Sequence, residues 1–479
     1  MARTPIRSAF GAFTRRTLLA STLAVTALPV WAQEPQQQQQ QQQRPNIVVF
    51  LADDLGYLDV PPNGDRDARA PNLARLAADG LSFDQAFVAS PACAPSRAAL
   101  LTGLMPARNR AEANHERPDP ALRKLPSYLQ SQGYQVVAFG KVSHYEHTGF
   151  YGFDHSEHDT FHDHAGIPDA IKWLKARKDT RPLALFVGSN WPHVPWPVSG
   201  DGFDPQALTL PAKTIDTPET RLARARYYAA IGRMDNELGD VMAASDEVLG
   251  KDSLFLFSSD HGAQWPFGKW NLYDTGTRTP LIVRWRGQTA PNTRTNAMVS
   301  WVDILPTLTE AAGGPAPAGI DGRSFASALR PGSHFAGRAE IFTTHNNDRD
   351  FNVYPGRAIR TAKWKYIRNL QAEHVYTTHI DQNARLGGDA YFASWRRAAD
   401  TDTAARKTVA AYYHRAAEEL YDIEADPHET RNLADDPAHA ATLRKLRGRL
   451  ENWRREQGDN RPIQGKPHLT EDPLPETDD

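Results

Sequence analysis

The chain has very little cysteine: Cys93 is the only one among 479 residues. An intrachain disulfide is therefore excluded. A lone cysteine is often a small buried apolar residue, but Pro95 and Arg97 follow this one closely, and neither suits a core segment. The sequence therefore favours a chemical use of Cys93.

The sequence also lacks a charge excess, internal repeats and, after residue 32, any apolar run long enough to span a membrane. Lys and Arg total 55 against 57 Asp and Glu, so no global charge favours nucleic acid or an anionic membrane surface. We expect a soluble globular protein without nucleic-acid partners or stable membrane insertion.

The N-terminus predicts export. Arg15 and Arg16 precede an apolar run over residues 17–31, and Ala32 ends a small-residue cleavage site. This pattern is typical of a twin-arginine signal peptide over residues 1–32. A membrane anchor is the alternative, but the run is shorter than the ~20 residues that span a bilayer. A Gln-rich linker over 33–44 follows, and the mature protein is expected to be periplasmic or secreted.

The rest of the chain has the pattern of an α/β fold. Short apolar runs alternate with helical stretches; they cover 46–52, 135–140, 183–189, 253–259 and 280–285. Runs that are apolar on both faces predict a mostly parallel sheet flanked by helices, here a catalytic domain over 45–340. Residues 356–369 and 419–423 predict a smaller antiparallel sheet, and a Leu/Trp stripe over 443–453 predicts a helix. We expect a C-terminal α+β subdomain over 341–458 and a polar tail over 459–479.

Polar residues follow four of these runs directly. They are Asp53 with Asp54, Lys141 with His144, Pro192 with His193, and Asp260 with His261. The carboxyl ends of parallel strands line one crevice, so these side chains are expected to converge. A single pair would more often be a helix cap or a solvated loop; the shared position of all four predicts an enzyme.

The segment Cys93-Ala94-Pro95-Ser96-Arg97 resembles the signature of type I sulfatases, and the match continues through Gly103. The resemblance implies an alkaline-phosphatase-like fold. It also implies that Cys93 is oxidised to formylglycine, with a formylglycine-generating enzyme as the maturation partner. Pro95 and Ser96 are expected to begin a helix whose N-terminus favours an anion.

The resemblance also implies a single divalent cation, Ca²⁺ by family habit, with Mg²⁺ left open. The residues that correspond to the family's metal site are Asp53, Asp54, Cys93, Asp260 and His261. Carboxylates suit a hard cation, whereas imidazole is an uncommon calcium ligand.

The implied reaction uses the hydrated aldehyde at position 93. One hydroxyl attacks sulfur to form a sulfo-enzyme, and the second then expels sulfate. By resemblance, Arg97 holds the aldehyde, while Lys141 and Lys269 contact sulfate oxygens. His144 assists proton loss from the diol, and His193 protonates the leaving atom.

The substrate is expected to be a sulfated saccharide. Segments 231–239, 268–283, 354–360 and 419–434 resemble sulfamidases, the N-sulfoglucosamine sulfohydrolases. The spacing from Gly140 to His144, together with Cys-Ala-Pro-Ser-Arg and Asp-His, looks more like an iduronate sulfatase. We favour N-linked sulfate on glucosamine, with O-sulfated uronic acid or glucosamine units as competitors.

Several further assignments stay open at this point. Tryptophans 191, 196, 265 and 270 fit either a saccharide subsite or the core. Arg357 and Arg360 fit either contacts with a substrate anion or exposed strand charges. The rival functions are a phosphate or phosphonate monoester hydrolase, which the two lysines disfavour, and a non-catalytic glycan-binding protein.

Overall fold

Four of the predicted apolar strands lie side by side in the centre of one eight-stranded sheet. The computed structural model describes residues 44–382 and 391–474. The strand order is β5-β4-β6-β1-β7-β8-β2-β9, and only β8 runs against the others. The prediction of a mostly parallel α/β fold is confirmed.

The strands of this sheet are short and mostly buried. Their bounds are β1 Ile47–Ala52, β2 Leu81–Phe83, β4 Gln135–Gly140, β5 His155–Glu157, β6 Leu183–Gly188, β7 Leu254–Ser259, β8 Leu281–Arg284 and β9 Thr293–Thr295. A separate two-stranded sheet joins β3 Ala86–Phe87 and β10 Val299–Ser300. The predicted central strands therefore agree with the observed ones to within a residue at each end.

Helices cover both faces of the large sheet. Their bounds are α1 Pro71–Ala78, α2 Cys93–Thr102, α3 Pro106–Asn109, α4 Leu125–Gln130, α5 Gly166–Ala176, α6 Pro218–Val248, α7 Asp274–Thr277, α8 Ile304–Ala311, α9 His379–Gln382, α10 Tyr391–Thr401, α11 Thr403–Tyr413 and α12 Ala440–Gln457. No helix among the described residues combines the length and apolar composition needed to cross a membrane.

Strand β1 shows how the two-faced apolar pattern folds. Val48 and Phe50 pack into a core with α1, α5 and α6, whereas Val49 and Leu51 pack into a second core with α4 and α8. Successive side chains of a strand point to opposite faces, so a continuous apolar run buries both. This burial holds β1 in the middle of the sheet.

The C-terminal part forms the predicted antiparallel sheet. Its strands are β11 Glu340–His345, β12 Gly356–Thr361, β13 Trp364–Asn369 and β14 Glu418–Asp422, in that order. The Leu443, Leu446, Leu450 and Trp453 stripe of α12 is buried against it, as the helical spacing indicated. The predicted boundary between residues 340 and 341 falls at the start of β11 and stays a prediction.

Two terminal segments need separate mention. The predicted signal peptide and nearly all of the Gln-rich linker lie outside the described residues, as do 475–479. The described part of the predicted polar tail packs on the rest of the chain. Asp459 is buried in ion pairs with Arg357 and Arg454, and Val375 forms a β-bridge with His468.

Helix α2 begins two residues earlier than expected, at Cys93, with Ala92 as the preceding cap residue. Proline is tolerated in the first turn of a helix because its missing N–H has no intrahelical partner there. Pro95 therefore lies inside the first turn instead of opening the helix. Cys93 is consequently the first residue of a fully buried helix.

Glycines bring the ends of β4 and β6 unusually close. A Cβ on Gly188 would lie 2.1 Å from the carbonyl carbon and oxygen of Lys141. Gly140, the last residue of β4, has a φ of 69°, in the left-handed region that favours glycine. Lys141 therefore takes its position from two neighbouring glycines.

We expect Gly188→Ala to lower the free energy of unfolding by about 1–3 kcal/mol, the usual effect of overpacking. The added methyl group must displace the Lys141 backbone. Thermal unfolding followed by circular dichroism measures the change. Gly448→Ala is the matched control, since a Cβ there meets nothing within 4 Å and the residue is helical; it should be neutral or stabilising by up to about 1 kcal/mol. An unchanged midpoint for Gly188→Ala would contradict this account of the close approach.

Candidate active site

The predicted functional residues converge at the carboxyl edge of four adjacent strands. Strands β4, β6, β1 and β7 are consecutive in the sheet; β4, β1 and β7 each end immediately before a predicted polar group, whereas three residues separate the end of β6 from Pro192. These groups follow in turn as Lys141, Pro192 with His193, Asp53 with Asp54, and Asp260 with His261. Helix α2 adds Cys93 and Arg97 from its first turns.

Arg97 links two of the carboxylates. Its Nε lies 2.9 Å from Asp260 Oδ2 and its Nη2 lies 3.1 Å from Asp53 Oδ1. Its Nη1 also donates to the carbonyl oxygen of Lys141. The guanidinium is fully buried, so it joins α2 to the ends of three strands. A buried arginine of this kind needs such partners on every side.

Two lysines neutralise the buried carboxylates of Asp53 and Asp54. Lys141 Nζ forms an ion pair with Asp53 Oδ2, and Lys269 Nζ lies 3.0 and 2.8 Å from the two oxygens of Asp54. Burial alone would lower the pKa of Lys141, but the carboxylate of Asp53 raises it well above its usual range. Both lysines are therefore charged at neutral pH.

Four of the five predicted metal residues present their ligand atoms to one point. Asp54, Cys93, Asp260 and His261 have atoms that all lie within 4.8 Å of one another. Asp53 is not in that set, although its Oδ1 lies 4.0 Å from Cys93 Sγ. The cluster is almost fully buried. The described residues thus bring two carboxylates, an imidazole and the Cys93 sulfur around one buried point.

The tautomer of His261 suits a ligand. Its Nδ1 lies 3.0 Å from the carbonyl oxygen of Gly262, an acceptor, so Nδ1 carries the hydrogen. Nε2 then presents a lone pair, at 3.4 Å from Asp54 Oδ1 and 3.2 Å from Cys93 Sγ. A backbone bond that fixes the ring in this way is the common arrangement for metal-binding histidines.

Cys93 lies in the middle of these charges. Its Sγ is 3.7 Å from Lys141 Nζ and 3.2 Å from His261 Nε2. Burial raises the pKa of the thiol despite the nearby lysines. An unmodified Cys93 would therefore be a neutral thiol and a poor nucleophile at neutral pH.

His193 lies on the other side of Asp54. Its Nε2 is 3.7 Å from Asp54 Oδ2, and its Nδ1 donates to the carbonyl oxygen of Val194. Burial and then Lys269 hold the pKa of His193 well below its usual value. The ring is therefore oriented by the backbone and neutral in the free protein.

His144 belongs to a chain of hydrogen bonds that the sequence did not reveal. Its Nε2 lies 2.7 Å from His115 Nδ1, and His115 Nε2 lies 2.9 Å from Asp348 Oδ1. Burial opposes ionisation of Asp348, but the bond from His115 lowers its pKa below the usual range. Asn114 completes the group: it donates to Asp348 Oδ2 and accepts from the Ala94 N–H at the start of α2.

The hydrogen-bond partners indicate which ring nitrogens of His115 and His144 carry a hydrogen. The Asp348 carboxylate only accepts, so His115 Nε2 carries a hydrogen, and a neutral His115 then accepts at Nδ1. His144 Nε2 must be the donor, which leaves Nδ1 of His144 with the lone pair. That Nδ1 is buried and has no hydrogen-bond partner among the described residues.

The tryptophans are buried more than a saccharide platform requires. Trp196 stacks on Trp265 with ring centroids 4.9 Å apart; Trp196 lies in the α6 side of the core, and the partly buried Trp265 packs against that core. Trp270 stacks on His379, and Trp191 stacks on His164. The core alternative therefore describes these residues better than the subsite alternative.

The expectation of exposed strand charges is wrong for the two strand arginines. Arg357 is buried and bound to Asp459, and Arg360 is buried beside Asp274. They therefore belong to internal ion pairs instead of facing solvent, and contact with a substrate anion stays a prediction. The sequence did not reveal these ion pairs, because Asp459 lies 102 residues from Arg357 and Asp274 lies 86 residues from Arg360.

Comparison with known proteins agrees with this site. A family model described as "Sulfatase" matches residues 45–314, and one described as "N-sulphoglucosamine sulphohydrolase, C-terminal" matches residues 261–384. The first spans more than half of the chain and contains the whole cluster described above.

Two relatives are 30% identical to this chain. An "Ulvan-active sulfatase" from Formosa agariphila aligns over 87% of this chain and 81% of its own length. An "N-sulphoglucosamine sulphohydrolase" from Homo sapiens aligns over 86% of this chain and 90% of its own length.

A solved structure supports the fold. It is of a protein in complex with its substrate D-glucosamine-2-N,6-O-disulfate; it superposes with a TM-score of 0.65 at 19% identity and covers 88% of this chain and 100% of that one. The domain match, the two relatives and the cluster at the sheet edge together show that this chain belongs to the sulfatase family.

Proposed function

We propose that this protein removes sulfate from a sulfated saccharide and that Cys93 acts after conversion to formylglycine. The observation that carries the proposal is the position of Cys93, on the first turn of a buried helix and within 4.0 Å of Asp53, Lys141 and His261 atoms. A buried neutral thiol has little use as a nucleophile there. The aldehyde, once hydrated, supplies a hydroxyl nucleophile and a second hydroxyl for release of sulfate.

We infer that the cluster holds a divalent cation, with Ca²⁺ as the proposed ion. Carboxylate oxygens from Asp53, Asp54 and Asp260 with one imidazole nitrogen fit a hard cation, because oxygen donors predominate. The lone pair of His261 Nε2 is directed by its bond to Gly262. When bound, such an ion withdraws charge from the sulfate as a Lewis acid.

The positive side chains have distinct proposed tasks. Lys141 and Lys269 bind sulfate oxygens, since both stay charged at neutral pH and lie beside Cys93 or Asp54. Arg97 orients residue 93 and holds Asp53 and Asp260 in place. Each lysine keeps a carboxylate partner, so its ammonium group is fixed before substrate arrives.

The histidines have the proton tasks. We propose that Nδ1 of His144 accepts a proton from the nucleophile and that Nε2 releases one to His115 Nδ1. The proton then resides on His115 beside Asp348, 2.9 Å away. Burial and then Lys141 lower the pKa of His144 far below its usual value, so His144 alone is a poor place for this charge. His193 is proposed to protonate the leaving atom through Nε2 after that nitrogen has taken up a proton from solvent, because the neutral ring carries its only hydrogen on Nδ1.

For the substrate, we favour N-linked sulfate on a glucosamine unit. The C-terminal family match and the human relative both carry the name N-sulphoglucosamine sulphohydrolase. The second candidate is an O-sulfated saccharide, favoured by an ulvan-active relative of equal identity. Export to the periplasm or beyond is also proposed, on the strength of the Arg-Arg and apolar pattern in residues 13–32.

Maturation and substrate class can be tested together. Protein co-produced with a formylglycine-generating enzyme should give a Cys93 peptide lighter than the thiol form by mass spectrometry. It should release sulfate from N-sulfated glucosamine faster than from 2-O- or 6-O-sulfated units, and Cys93→Ala should reduce release to background. Release from O-sulfated units alone would overturn the substrate assignment. Faster turnover of a phosphate or phosphonate monoester than of every sulfate would overturn the proposed function.

We expect removal of divalent ions to destabilise the protein as well as to inactivate it. A ligand that binds only the folded state raises stability by mass action, about 2.7 kcal/mol at a hundredfold excess over Kd. Adding Ca²⁺ to chelator-treated protein should therefore raise its thermal midpoint. Asp260→Asn should abolish that rise, whereas Asp400→Asn, exposed on α10, should retain it. A midpoint that does not respond to Ca²⁺ or Mg²⁺ in the unaltered protein would contradict a metal site.

The proposed proton path predicts a chemical rescue. His115→Ala should lower kcat at least about tenfold, because general-base assistance is typically worth more than that. Added imidazole should restore part of the rate, since the His115 side chain is 30% exposed and its site is accessible. Asp348→Asn should also lower kcat, without rescue. Loss of activity in His115→Ala that imidazole never restores, with a normal thermal midpoint, would argue against the path.

A further inference from the structure

A polar pocket of about 320 Å³ lies beside the His115–His144 pair. Three separate segments line it: residues 112–116, the loop after β11, and the chain after α12. Its lining residues include Glu112, Asn114, His115, Asn346, Arg349 and Arg461. Pockets of this volume hold small ligands, and this one is large enough for a single sugar ring.

Two lining residues connect the pocket directly to the catalytic cluster. His115 is bonded to His144, and Asn114 accepts a hydrogen bond from the Ala94 backbone, next to Cys93. A molecule in the pocket would therefore lie next to the residues that we assign to proton transfer.

Glu112 stands out among the lining residues. It is only 6% exposed, and its Oε1 has no hydrogen-bond partner among the described residues. Arg461 Nη1 forms an ion pair with that oxygen at 3.6 Å, which is beyond hydrogen-bond distance. A buried carboxylate oxygen without a donor is costly, so its presence indicates that a ligand supplies one.

The pocket wall is rigid around Glu112. Arg357 donates to Asn346 Oδ1, which leaves the Asn346 amide nitrogen towards Glu112, 3.5 Å from Oε2. Arg357 is in turn held by Asp459 through two bonds of 2.6 Å. A preformed acceptor needs this kind of support, because a mobile carboxylate would lose entropy when it binds.

The composition of the pocket selects the ligand chemistry. Among the lining residues only His115 has an aromatic ring, and it is already held by His144 and Asp348, so recognition must rely mainly on hydrogen bonds. Three acidic lining residues, Glu112, Glu116 and Asp350, are accompanied by Arg349 and Arg461, so the pocket is neither strongly anionic nor strongly cationic. Among the described residues its acids form no metal-binding group. Hydroxyl and amino groups of a sugar match these acceptors.

We propose that this pocket holds the sugar ring that carries the scissile sulfate and that Oε1 of Glu112 accepts a hydrogen bond from a hydroxyl or amino group of that ring. The inference rests on the proposed function, because the ring is that of the saccharide substrate. It makes Glu112 a specificity residue that acts on the sugar and takes no part in sulfur chemistry.

Comparison of two substrates tests the proposal. Glu112→Ala should lower kcat/KM for the sulfated saccharide about 10- to 100-fold, the effect of losing a hydrogen bond to a charged group. Turnover of 4-nitrophenyl sulfate, which has no sugar, should stay within about threefold. Glu112→Gln, which keeps an oxygen acceptor and the same shape, should give a smaller loss. Glu247→Ala is the matched control, since this exposed glutamate lies near the end of α6, at the opposite edge of the sheet.

The outcomes are separable. A selective loss on the saccharide supports the proposal. Two results would overturn the proposal, provided that the unaltered enzyme hydrolyses the saccharide. The first is an equal loss on both substrates in Glu112→Ala and Glu112→Gln. The second is no loss on either substrate. If the unaltered enzyme hydrolyses the aryl sulfate and none of the sulfated saccharides, the proposed function itself fails and the inference fails with it.

Discussion

The site depends on the bridge that Arg97 makes between Asp53 and Asp260. Three carboxylates are buried within a few ångströms, and such charges are tolerated in a dry interior only when paired. Arg97, Lys141 and Lys269 supply three opposite charges, each at most 2% exposed. Because these partners come from α2, from the end of β4 and from the loop after β7, the charge balance exists only when the sheet has its correct order. Folding and assembly of the site are therefore one event.

The ion pairs between the lysines and the carboxylates also keep the lysines ready to bind an anion. A buried lysine tends to lose its proton, which would leave it unable to attract sulfate. Asp53 keeps Lys141 charged and Asp54 keeps Lys269 charged, so neither has to be ionised or reoriented when an anion enters. Preorganised charges of this kind stabilise developing negative charge without reorganisation at the moment of reaction. The carboxylates thus serve the lysines as well as a cation.

The sequence predicted the strand ends well because their signals are local. An apolar run buried on both faces ends where polar residues begin, and Asp53, Lys141 and Asp260 each mark that point. The residues that it missed depend on contacts far along the chain. Asn114 meets Asp348 across 234 residues, and no local pattern marks either one. Arg357 looked like a strand charge for the same reason, since its partner Asp459 belongs to the supposed tail.

The residues proposed for the reaction and those proposed for substrate choice come from different parts of the fold. The groups proposed to act on sulfur come from strand ends and α2, which the central sheet holds rigidly. The proposed sugar pocket comes from loops and from the chain after α12, which can change without disturbing the sheet. Two relatives of equal identity carry the names of different substrates, as expected if relatives keep one centre and vary the pocket. On the proposal made above, Glu112 and its pocket, and not the cysteine motif, decide which substrate this enzyme accepts.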